Sequence, residues 1–233
     1  MQLTWLGHSC ILLEGSRKVL VDPFVREGSV IGTNPDIVAV THGHADHLGE
    51  AVALKRKTVA VGEVVHYLRT KGVPAESVNF GGTLELDGVS FTLTPAVHSS
   101  RIEDESGTFD GGAAAGFVIR MDGIAVYHAG DTALFSDMKL IGELYHPDIA
   151  LLPIGGRYTM GPAEAMMAAQ YIGARIVVPI HYNTWERIAA DPLPFKNALE
   201  RTTDITVKIL KSGEGMDCSP LARSEERRVG KEC

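Results

Sequence analysis

A dense group of metal-binding side chains stands in residues 41–49, which have the sequence Thr-His-Gly-His-Ala-Asp-His-Leu-Gly. The segment holds four potential metal ligands within six consecutive positions, namely His42, His44, Asp46 and His47. Imidazole and carboxylate ligands at this density suit Zn²⁺, and they also suit the harder cations Mn²⁺ and Fe²⁺. His42 and His44 are two residues apart and can reach one ion from the same side of a loop, whereas Asp46 and His47 would face a second ion.

Two other interpretations of this group are a surface histidine cluster and a closed structural zinc site. Structural zinc sites depend heavily on cysteine, and residues 41–49 contain none. The composition of the segment therefore favours a metal centre that takes part in chemistry.

The elements that must position this loop begin with strands. Residues 37–41 are apolar and rich in β-branched side chains, which predicts a buried strand with the histidine-rich loop at its end. Three segments either alternate between apolar and polar side chains or are continuously apolar, which predicts a β-meander. They are residues 2–6, 10–14 and 18–21. Residues 46–53 are expected to begin a helix, whose N-terminus favours anionic groups.

Two further candidates follow predicted strands. His98 comes after a strand expected at 89–95, where it could meet the first loop, and we expect it to complete the metal shell. Asp131 follows Gly130, which permits a tight turn at the end of a strand. Asp131 could instead cap the next helix, since Asp is a favoured N-cap residue.

Five other polar positions have open or ordinary roles. His8 and Asp22 stand in tight corners and are either simple turn residues or side chains that point toward the metal loop. His128 is either a partner of the metal ligands or a plain strand residue. His66 is expected on a helix surface, and His146 at a helix end, where it would interact favourably with the helix dipole.

The remaining segments predict alternating sheet and helix. Strands are expected at 58–61, 83–87, 89–95, 116–121, 124–128, 148–153, 175–180 and 205–210, and helices at 63–71, from near 136, at 163–172 and at 194–201. Residues 101–115 have no clear periodicity and predict a mobile loop over the site. The order of sheet followed by helices occurs twice, which indicates two similar halves that face each other.

Composition narrows the class of protein. At 233 residues, with 45% hydrophobic and 22% charged residues, the chain is long enough for one sizeable core. The net charge of −7 and the lack of a basic stripe argue against a nucleic-acid partner. No apolar run approaches the roughly 18 residues of a membrane span, and no signal peptide is recognisable. Three cysteines, Cys10, Cys218 and Cys233, make no disulfide framework and predict a cytoplasmic protein.

The last eleven residues, 223–233, form a separate segment of the sequence. Their sequence, Arg-Ser-Glu-Glu-Arg-Arg-Val-Gly-Lys-Glu-Cys, looks like the translation of a common sequencing adapter. We therefore expect one hydrolase domain over residues 1–222 and a non-native tail after it. Resequencing the locus from genomic DNA and finding these codons in place would contradict that hypothesis.

The assembled pattern resembles the metallo-β-lactamase superfamily over essentially the whole chain to about residue 215. The match lies in an ordered set, His42-x-His44-x-Asp46-His47, His98, Asp131 and His181. Residues 5–10, 22–24, 129–132, 152–156 and 179–184 resemble a branch of bacterial and archaeal metal-dependent hydrolases. That branch is similar to ascorbate-6-phosphate lactonase and N-acylphosphatidylethanolamine phospholipase D.

The resemblance implies an α/β fold, an αββα four-layer sandwich of two facing mixed β-sheets flanked by helices, with both metals at one edge between the sheets. It assigns His42, His44 and His98 to the first ion. It assigns Asp46, His47 and His181 to the second ion, with Asp131 as the bridge. The redox branch of the superfamily has Glu at the position of His44, which argues against a diiron oxygen-reducing enzyme. The insertion domain of the nucleic-acid-processing branch would need more residues than this chain has.

This ligand set predicts hydrolysis of an ester, lactone, amide or phosphodiester in a small substrate. Two divalent ions about 3.5–4 Å apart can hold a water between them, lower its pKa toward neutrality and polarise the bond under attack. The nucleophile would be the bridging hydroxide, with Asp46 orienting it and accepting its proton. Asp46, Asp131 and His8 are the expected catalytic residues, and His8, residues 99–115 and Tyr158 are expected to set substrate specificity.

One other enzyme class fits the same residues. A mononuclear iron bound through His42, His44, His98 and Asp131 would support an oxidoreductase or sulfur dioxygenase on the same scaffold. A non-catalytic binding protein is not expected, because all seven ligands are present. A homo-oligomer is an expectation from family analogy alone.

Overall fold

β-Strands are the most numerous elements of the described chain. The computed structural model describes residues 1–222, and the proposed adapter-derived segment lies outside the described residues. In chain order the strands are β1 (Gln2–Gly7), β2 (Cys10–Glu14), β3 (Lys18–Val21), β4 (Ile37–Ala39), β5 (Lys57–Ala60), β6 (Ala75–Ser77), β7 (Thr83–Leu86), β8 (Val89–Pro95), β9 (Arg101–Asp104), β10 (Gly107–Asp110), β11 (Ala115–Met121), β12 (Ile124–His128), β13 (Ile149–Pro153), β14 (Ile176–Ile180), β15 (Thr206–Val207) and β16 (Glu214–Asp217).

Helices are fewer than strands in the described chain. They are α1 (Ala45–Leu48), α2 (Ala51–Leu54), α3 (Gly62–Thr70), α4 (Met138–Tyr145), α5 (Pro162–Ile172) and α6 (Pro192–Thr202), with short 3-10 turns at Ile31–Thr33, Glu186–Ile188 and Ser219–Leu221. The limits of α5 follow from its sequence, because Pro162 opens its first turn and Gly173 ends it in a left-handed conformation. Among residues 1–222, no helix combines the length and the apolar composition that a membrane crossing requires.

The strands form two seven-stranded sheets and one separate hairpin. The first sheet has the order β16-β1-β2-β3-β4-β5-β6, and the second β15-β14-β13-β12-β11-β8-β7. In each sheet one half is antiparallel and the other parallel. The parallel pairs run from β3 to β6 and from β12 to β15. Because the carboxyl ends of parallel strands meet at one edge, the loops after them gather at the same place.

Helices cover the outer faces of both sheets. Helix α3 packs on β5 and β6, while α5 packs on β13 and α6 on β15. Every residue of β12 and of β13 is buried, as expected for parallel strands covered on both faces. One apolar core spans both sheets, with Leu13 of the first and Phe117 of the second both fully buried. The predicted αββα four-layer sandwich is therefore confirmed.

Backbone hydrogen bonds join the two sheets at the edge where the loops gather. The amide of Ala115 donates to the carbonyl of Thr41 at 3.1 Å, and the amide of His181 donates to the carbonyl of His8 at 2.8 Å. Both bonds connect a loop of one sheet to an element of the other. The candidate ligands are thus attached to a rigid junction between the halves.

Residues 101–115 differ from the predicted mobile loop. They contain the hairpin β9–β10, in which Ile102 is fully buried and its Cγ1 would lie only 2.6 Å from a Cβ on Gly43. The hydroxyl of Ser100 accepts from the amide of Gly43 at 3.0 Å and donates to the carbonyl of Gly111 at 2.8 Å. Strands of four residues give too little periodicity to recognise in sequence, and these strands are held by contacts to the histidine-rich loop.

Other differences lie at short elements. The helix expected at 46–53 is divided into α1 and α2 at Gly49, where a Cβ would stand 2.1 Å from the carbonyl oxygen of Pro23. The edge strands β6 and β16 were not predicted, and the strand expected at 205–210 is reduced to Thr206–Val207. Edge strands of this length depend on the neighbouring strand for their conformation, so their own sequence says little.

Candidate metal centre

The predicted ligands lie together at the edge between the sheets. His42 and His44 follow β4, and His98 follows β8. Asp131 and His181 follow β12 and β14, respectively, in the other sheet's parallel half. The strand ends therefore bring residues from distant parts of the sequence to one place.

The first group of possible ligands is His42, His44 and His98. One ring nitrogen from each lies within 4.8 Å of the others. His42 Nε2 and His44 Nδ1 are 3.0 Å apart, and the rings of His44 and His98 lie edge to face with centroids 5.2 Å apart. His42 is fully buried, while the other two are half-buried, so this group borders the opening of the site.

The second group is larger than the sequence predicted. It brings together His8, Asp46, His47 and His181, whose ligand atoms also lie within 4.8 Å of one another. His8 Nε2 is 3.1 Å from Asp46 Oδ2, and the rings of His8 and His181 have centroids 4.1 Å apart. Of the two open interpretations of His8, the structure places its side chain toward the metal loop.

Asp131 lies between the two groups. Its Oδ1 is 3.2 Å from His47 Nε2, and its Oδ2 is 3.1 Å from His181 Nε2 and 3.6 Å from His98 Nε2. One carboxylate thus contacts members of both groups. It does not cap α4, whose N-cap residue is Asp137.

Buried polar atoms test whether these residues fit a metal. Both His47 Nε2 and Asp131 Oδ1 are buried and make no hydrogen bond within the described residues. Leaving such atoms unpaired costs about 1–3 kcal/mol each. Two unpaired ligand atoms that face each other across 3.2 Å, within a set of imidazole and carboxylate donors, fit a site for divalent cations.

The lowered pKa values of His42, His44 and His98 agree with that fit. Burial lowers the pKa of His42 well below its ordinary value and lowers the pKa of His44 and His98 as well. Neutral imidazole is the form that binds metal. Burial also acts to lower the pKa of His47, but the carboxylates of Asp131 and Asp22 outweigh it and raise that pKa well above its usual value.

Asp22 and Thr41 hold the rings of two predicted ligands. Asp22 is fully buried, and its Oδ2 accepts from His47 Nδ1 at 2.7 Å and from the Thr41 hydroxyl at 2.8 Å. Its Oδ1 accepts from the Thr41 amide at 2.8 Å. With its proton given to Asp22, the Thr41 hydroxyl can accept from His42 Nδ1, which lies 3.0 Å away. Such contacts orient metal-binding imidazoles and fix their tautomer.

A second set of contacts holds His8. Its Nδ1 is 2.8 Å from the Thr184 hydroxyl, and its ring packs edge-on against Trp185 and Phe24, with centroids 4.8 and 5.6 Å apart. His8 has φ = 52°, a left-handed conformation that is uncommon outside glycine. A ring held on all sides in this way has one orientation, toward Asp46.

The other histidines lie outside these groups. His66 is exposed on α3, as predicted, and His146 is the C-cap residue of α4. His128 is fully buried and joins the sheets, since its Nε2 donates to the carbonyl of Ser9 at 2.9 Å. Its Nδ1 accepts from the amide of Gly130 at 3.1 Å, which braces the turn before Asp131.

The roles of Thr41 and Thr184 were not predicted from the sequence. Thr41 could have been noticed, because it ends the predicted strand directly before His42. That strand is the next one in the chain after Asp22. Thr184 gave no such signal, since it is separated from His8 by 176 positions.

Comparison with known proteins identifies the class to which this fold and site belong. A family model described as a beta-lactamase superfamily domain matches residues 2–181, and the chain belongs to that superfamily. It is 67% identical over 220 residues to a "UPF0173 metal-dependent hydrolase" of Methanoregula boonei, a match that covers 94% of this chain and 99% of that protein. A protein of the same name from Methanoculleus marisnigri is 62% identical over 225 residues, covering 97% and 100%.

Among solved structures, the fold is similar to Igni18, described as a novel metallo hydrolase from Ignicoccus hospitalis. The TM-score is 0.84 and the sequence identity 37%, and the match covers 92% of this chain and 97% of that one. The resemblance to the superfamily that the ligand pattern indicated is therefore confirmed.

Proposed function

We propose that this protein is a dinuclear metal-dependent hydrolase that cleaves an ester, lactone, amide or phosphodiester bond in a small substrate. The observation that carries the proposal is the position of Asp131, whose oxygens lie 3.2 Å from His47 Nε2 and 3.6 Å from His98 Nε2, one member of each ligand group. The relatives named metal-dependent hydrolases support the reaction class.

Seven side chains would share two ions. The first ion would be held by His42, His44 and His98, the second by Asp46, His47 and His181, and both by Asp131. A set of imidazole and carboxylate donors suits Zn²⁺, with Mn²⁺ and Fe²⁺ as the alternatives. When bound, two divalent ions lower the pKa of water toward neutrality and polarise the bond under attack.

Asp46 is the candidate for proton transfer. Its side chain is 29% exposed, so it borders the space that a substrate would enter. Burial disfavours its charged form, but the hydrogen bond with His8 and the nearby His47 outweigh burial and hold the pKa of Asp46 well below its usual range. Asp46 is therefore ionised at neutral pH and can orient a nucleophilic water and accept its proton.

His8 would act on the same step through Asp46. Its hydrogen bonds to Thr184 and Asp46, at 2.8 and 3.1 Å, hold the carboxylate in one orientation. His8 also belongs by distance to the second ligand group, so a direct contact with the ion or the substrate is compatible with its position. A His8→Ala variant should keep its fold and lose turnover.

The mononuclear iron alternative has no observation in its favour. It would use His42, His44, His98 and Asp131 and leave the second group, whose ligand atoms converge equally closely, without a role. A single bound iron with oxygen uptake would reverse this preference.

Assembly and location remain predictions. The low cysteine content is the reason for expecting a cytoplasmic protein. A homo-oligomer is expected by family analogy, and light scattering of the purified protein would test it.

The experiment that tests the function is elemental analysis of the chain ending at Ala222, beside its Asp131→Ala variant. We expect about two zinc or manganese ions per chain in the unmodified protein. The variant should contain fewer ions and lose turnover in a screen of lactones, esters and phosphodiesters. Asp137→Ala is the matched control, because Asp137 is an exposed carboxylate a few residues further along the chain. Full turnover in Asp131→Ala would contradict the proposal.

A further inference from the structure

Two loops of the second sheet extend from the metal centre toward solvent. Residues 154–160 follow β13, and residues 181–190 follow the adjacent parallel strand β14. They pack against each other at Gly155, where a Cβ would lie 2.3 Å from the carbonyl oxygen of His181 and 3.0 Å from Ile188 Cβ. At its other end the first loop is fixed by the amide of Met160, which donates to the carbonyl of Thr132, the residue after Asp131. Both loops are therefore anchored on residues of the candidate site or their immediate neighbours.

The first loop ends in a tight turn that presents Arg157 and Tyr158. The amide of Thr159 donates to the carbonyl of Gly156 at 2.6 Å, and the amide of Gly156 donates to the carbonyl of Met160 at 3.0 Å. Arg157 and Tyr158 are the two central residues of this turn, and Tyr158 is 46% exposed. The Arg157 guanidinium lies 5.5 Å from the centroid of the Tyr158 ring.

The second loop brings another cation to the same tyrosine. Arg187 lies in the 3-10 turn Glu186–Ile188, directly after Trp185, whose ring packs on His8. Arg187 and Arg157 both lower the pKa of the Tyr158 hydroxyl, with Arg187 the larger contributor. Two cationic side chains from loops that pack on each other thus act on one tyrosine beside the candidate metal centre.

This convergence has no counter-ion in the part of the chain that the structure describes. No carboxylate of residues 1–222 forms an ion pair with Arg157 or Arg187, although the whole chain carries a net charge of −7. The two guanidinium groups repel each other, and an anion placed between them would attract both. Guanidinium groups bind carboxylate and phosphate through paired hydrogen bonds, and a phenol hydroxyl can add one more.

We propose that Arg157, Tyr158 and Arg187 bind an oxyanion of the substrate, a carboxylate or a phosphate that lies outside the bond being cleaved. The proposal rests on the hydrolase function above and names the class of substrate, which is a small anionic ester, lactone or amide. The pair of arginines recognises the charged end, and the metal centre acts at the other end. This position gives Tyr158 a specific role in the substrate specificity that the sequence led us to expect.

The test compares two esters that differ in charge. The metal-loaded protein is assayed with 4-nitrophenyl butyrate, which is neutral, and with the mono-4-nitrophenyl ester of succinate, which carries a carboxylate at the end of an acyl chain of the same length. Arg157→Met, Arg187→Met and the double variant are measured beside Arg201→Met, a control because Arg201 is an exposed arginine in the last turn of α6. We expect each single variant to lose about ten-fold in kcat/KM on the anionic ester and less than about two-fold on the neutral ester.

Calorimetry of the same metal-loaded proteins gives a readout that does not need turnover. Succinate and inorganic phosphate are titrated separately into the unmodified protein and the Arg157/Arg187 double variant. We expect at least one of them to bind about ten-fold more weakly to the double variant, and the one that loses more identifies the preferred oxyanion.

The outcomes separate this proposal from the hydrolase function. If both esters are hydrolysed and the ratio of their kcat/KM values is the same in the double variant as in the unmodified protein, the oxyanion subsite is wrong and the hydrolase stands. If neither ester is hydrolysed, the calorimetric titrations decide. Unchanged affinity for both succinate and phosphate in the double variant then overturns the subsite, and a ten-fold loss supports it.

Discussion

Replacing Asp22 with asparagine should weaken metal binding while leaving the fold intact. Asp22 accepts three hydrogen bonds within 2.8 Å, from the Thr41 amide, the Thr41 hydroxyl and His47 Nδ1. Asparagine has nearly the same shape but offers an amide NH₂ where Asp22 Oδ2 now accepts two of these bonds. Donor would then face donor at His47, unless the His47 proton moves from Nδ1 to Nε2.

Movement of that proton would weaken metal binding by His47. His47 Nε2 is the atom that faces Asp131 at 3.2 Å, and a proton there blocks the lone pair needed by a metal. The Thr41 hydroxyl also loses its acceptor, so it no longer keeps His42 Nδ1 in the donor state. One substitution therefore disturbs one ligand from each group.

The expected magnitude follows from these bonds. Loss of a carboxylate that orients a ligating histidine costs about 10–100-fold in metal affinity, which is about 1.4–2.7 kcal/mol. The metal-free protein should lose about 1–3 kcal/mol of unfolding free energy, because a buried donor is left unpaired.

The assay is competition with a chromophoric chelator at fixed pH, with circular dichroism as the check on folding. Asp36→Asn is the matched control, since Asp36 is exposed and accepts from the Lys18 amide at the opposite end of β3. A folded Asp22→Asn protein that binds both ions with unmodified affinity would refute the view that Asp22 sets the tautomers of the ligands.

Three further predictions concern the surrounding structure. Gly130→Ala should destabilise the protein by about 1–3 kcal/mol in urea unfolding, because Gly130 has φ = 63° and a Cβ would stand 2.4 Å from the Ala115 carbonyl oxygen; unchanged stability would contradict this close contact. The Lys71 ammonium, 2.6 Å from Asp104, holds the pKa of Asp104 at about 2, so the stability that this pair contributes is present above the ordinary pKa of 3.8 and is lost as pH falls toward 2. In Lys71→Met the Tm should be lower than that of the unmodified protein above about pH 4, and the two values should converge as pH falls toward 2; an identical pH profile would argue against the pair. Removal of metal by a chelator should lower the Tm, and added Zn²⁺ should restore it, because a ligand at about 100 times its Kd adds about 2.7 kcal/mol to the free energy of unfolding. A Tm that is insensitive to chelator would count against a resident metal.

Several features of this fold could be predicted from local sequence because the interactions behind them are local. Asp87-Gly88 and Asp122-Gly123 predicted two hairpins, and in both pairs Asp and Gly adopt the positive φ that such turns need. The spacing of His42, His44, Asp46 and His47 predicted the chemistry of the centre, since ligands on one short loop need no knowledge of the rest of the fold. The buried strands were recognisable as continuous apolar runs.

Other parts of the site depended on the docking of one sheet against the other. The bond between His8 and Thr184 joins opposite ends of the chain, and the enlargement of the second ligand group by His8 follows from it. The hairpin β9–β10 was missed because its order comes from Ile102 packing on Gly43, not from its own short strands.

For this protein, the sequence by itself determined the types and order of the candidate ligands, because these follow from residue chemistry. Periods of two and 3.6 along the chain indicated strands and helices, and the class of fold followed from the resemblance to the superfamily. Only the tertiary structure decided which second partners hold each ligand and where Arg157, Tyr158 and Arg187 meet. The physical reason is the short range of these interactions. Hydrogen bonds and charge pairs act over a few ångströms, and only packing of the two halves brings residues so far apart in sequence within that distance.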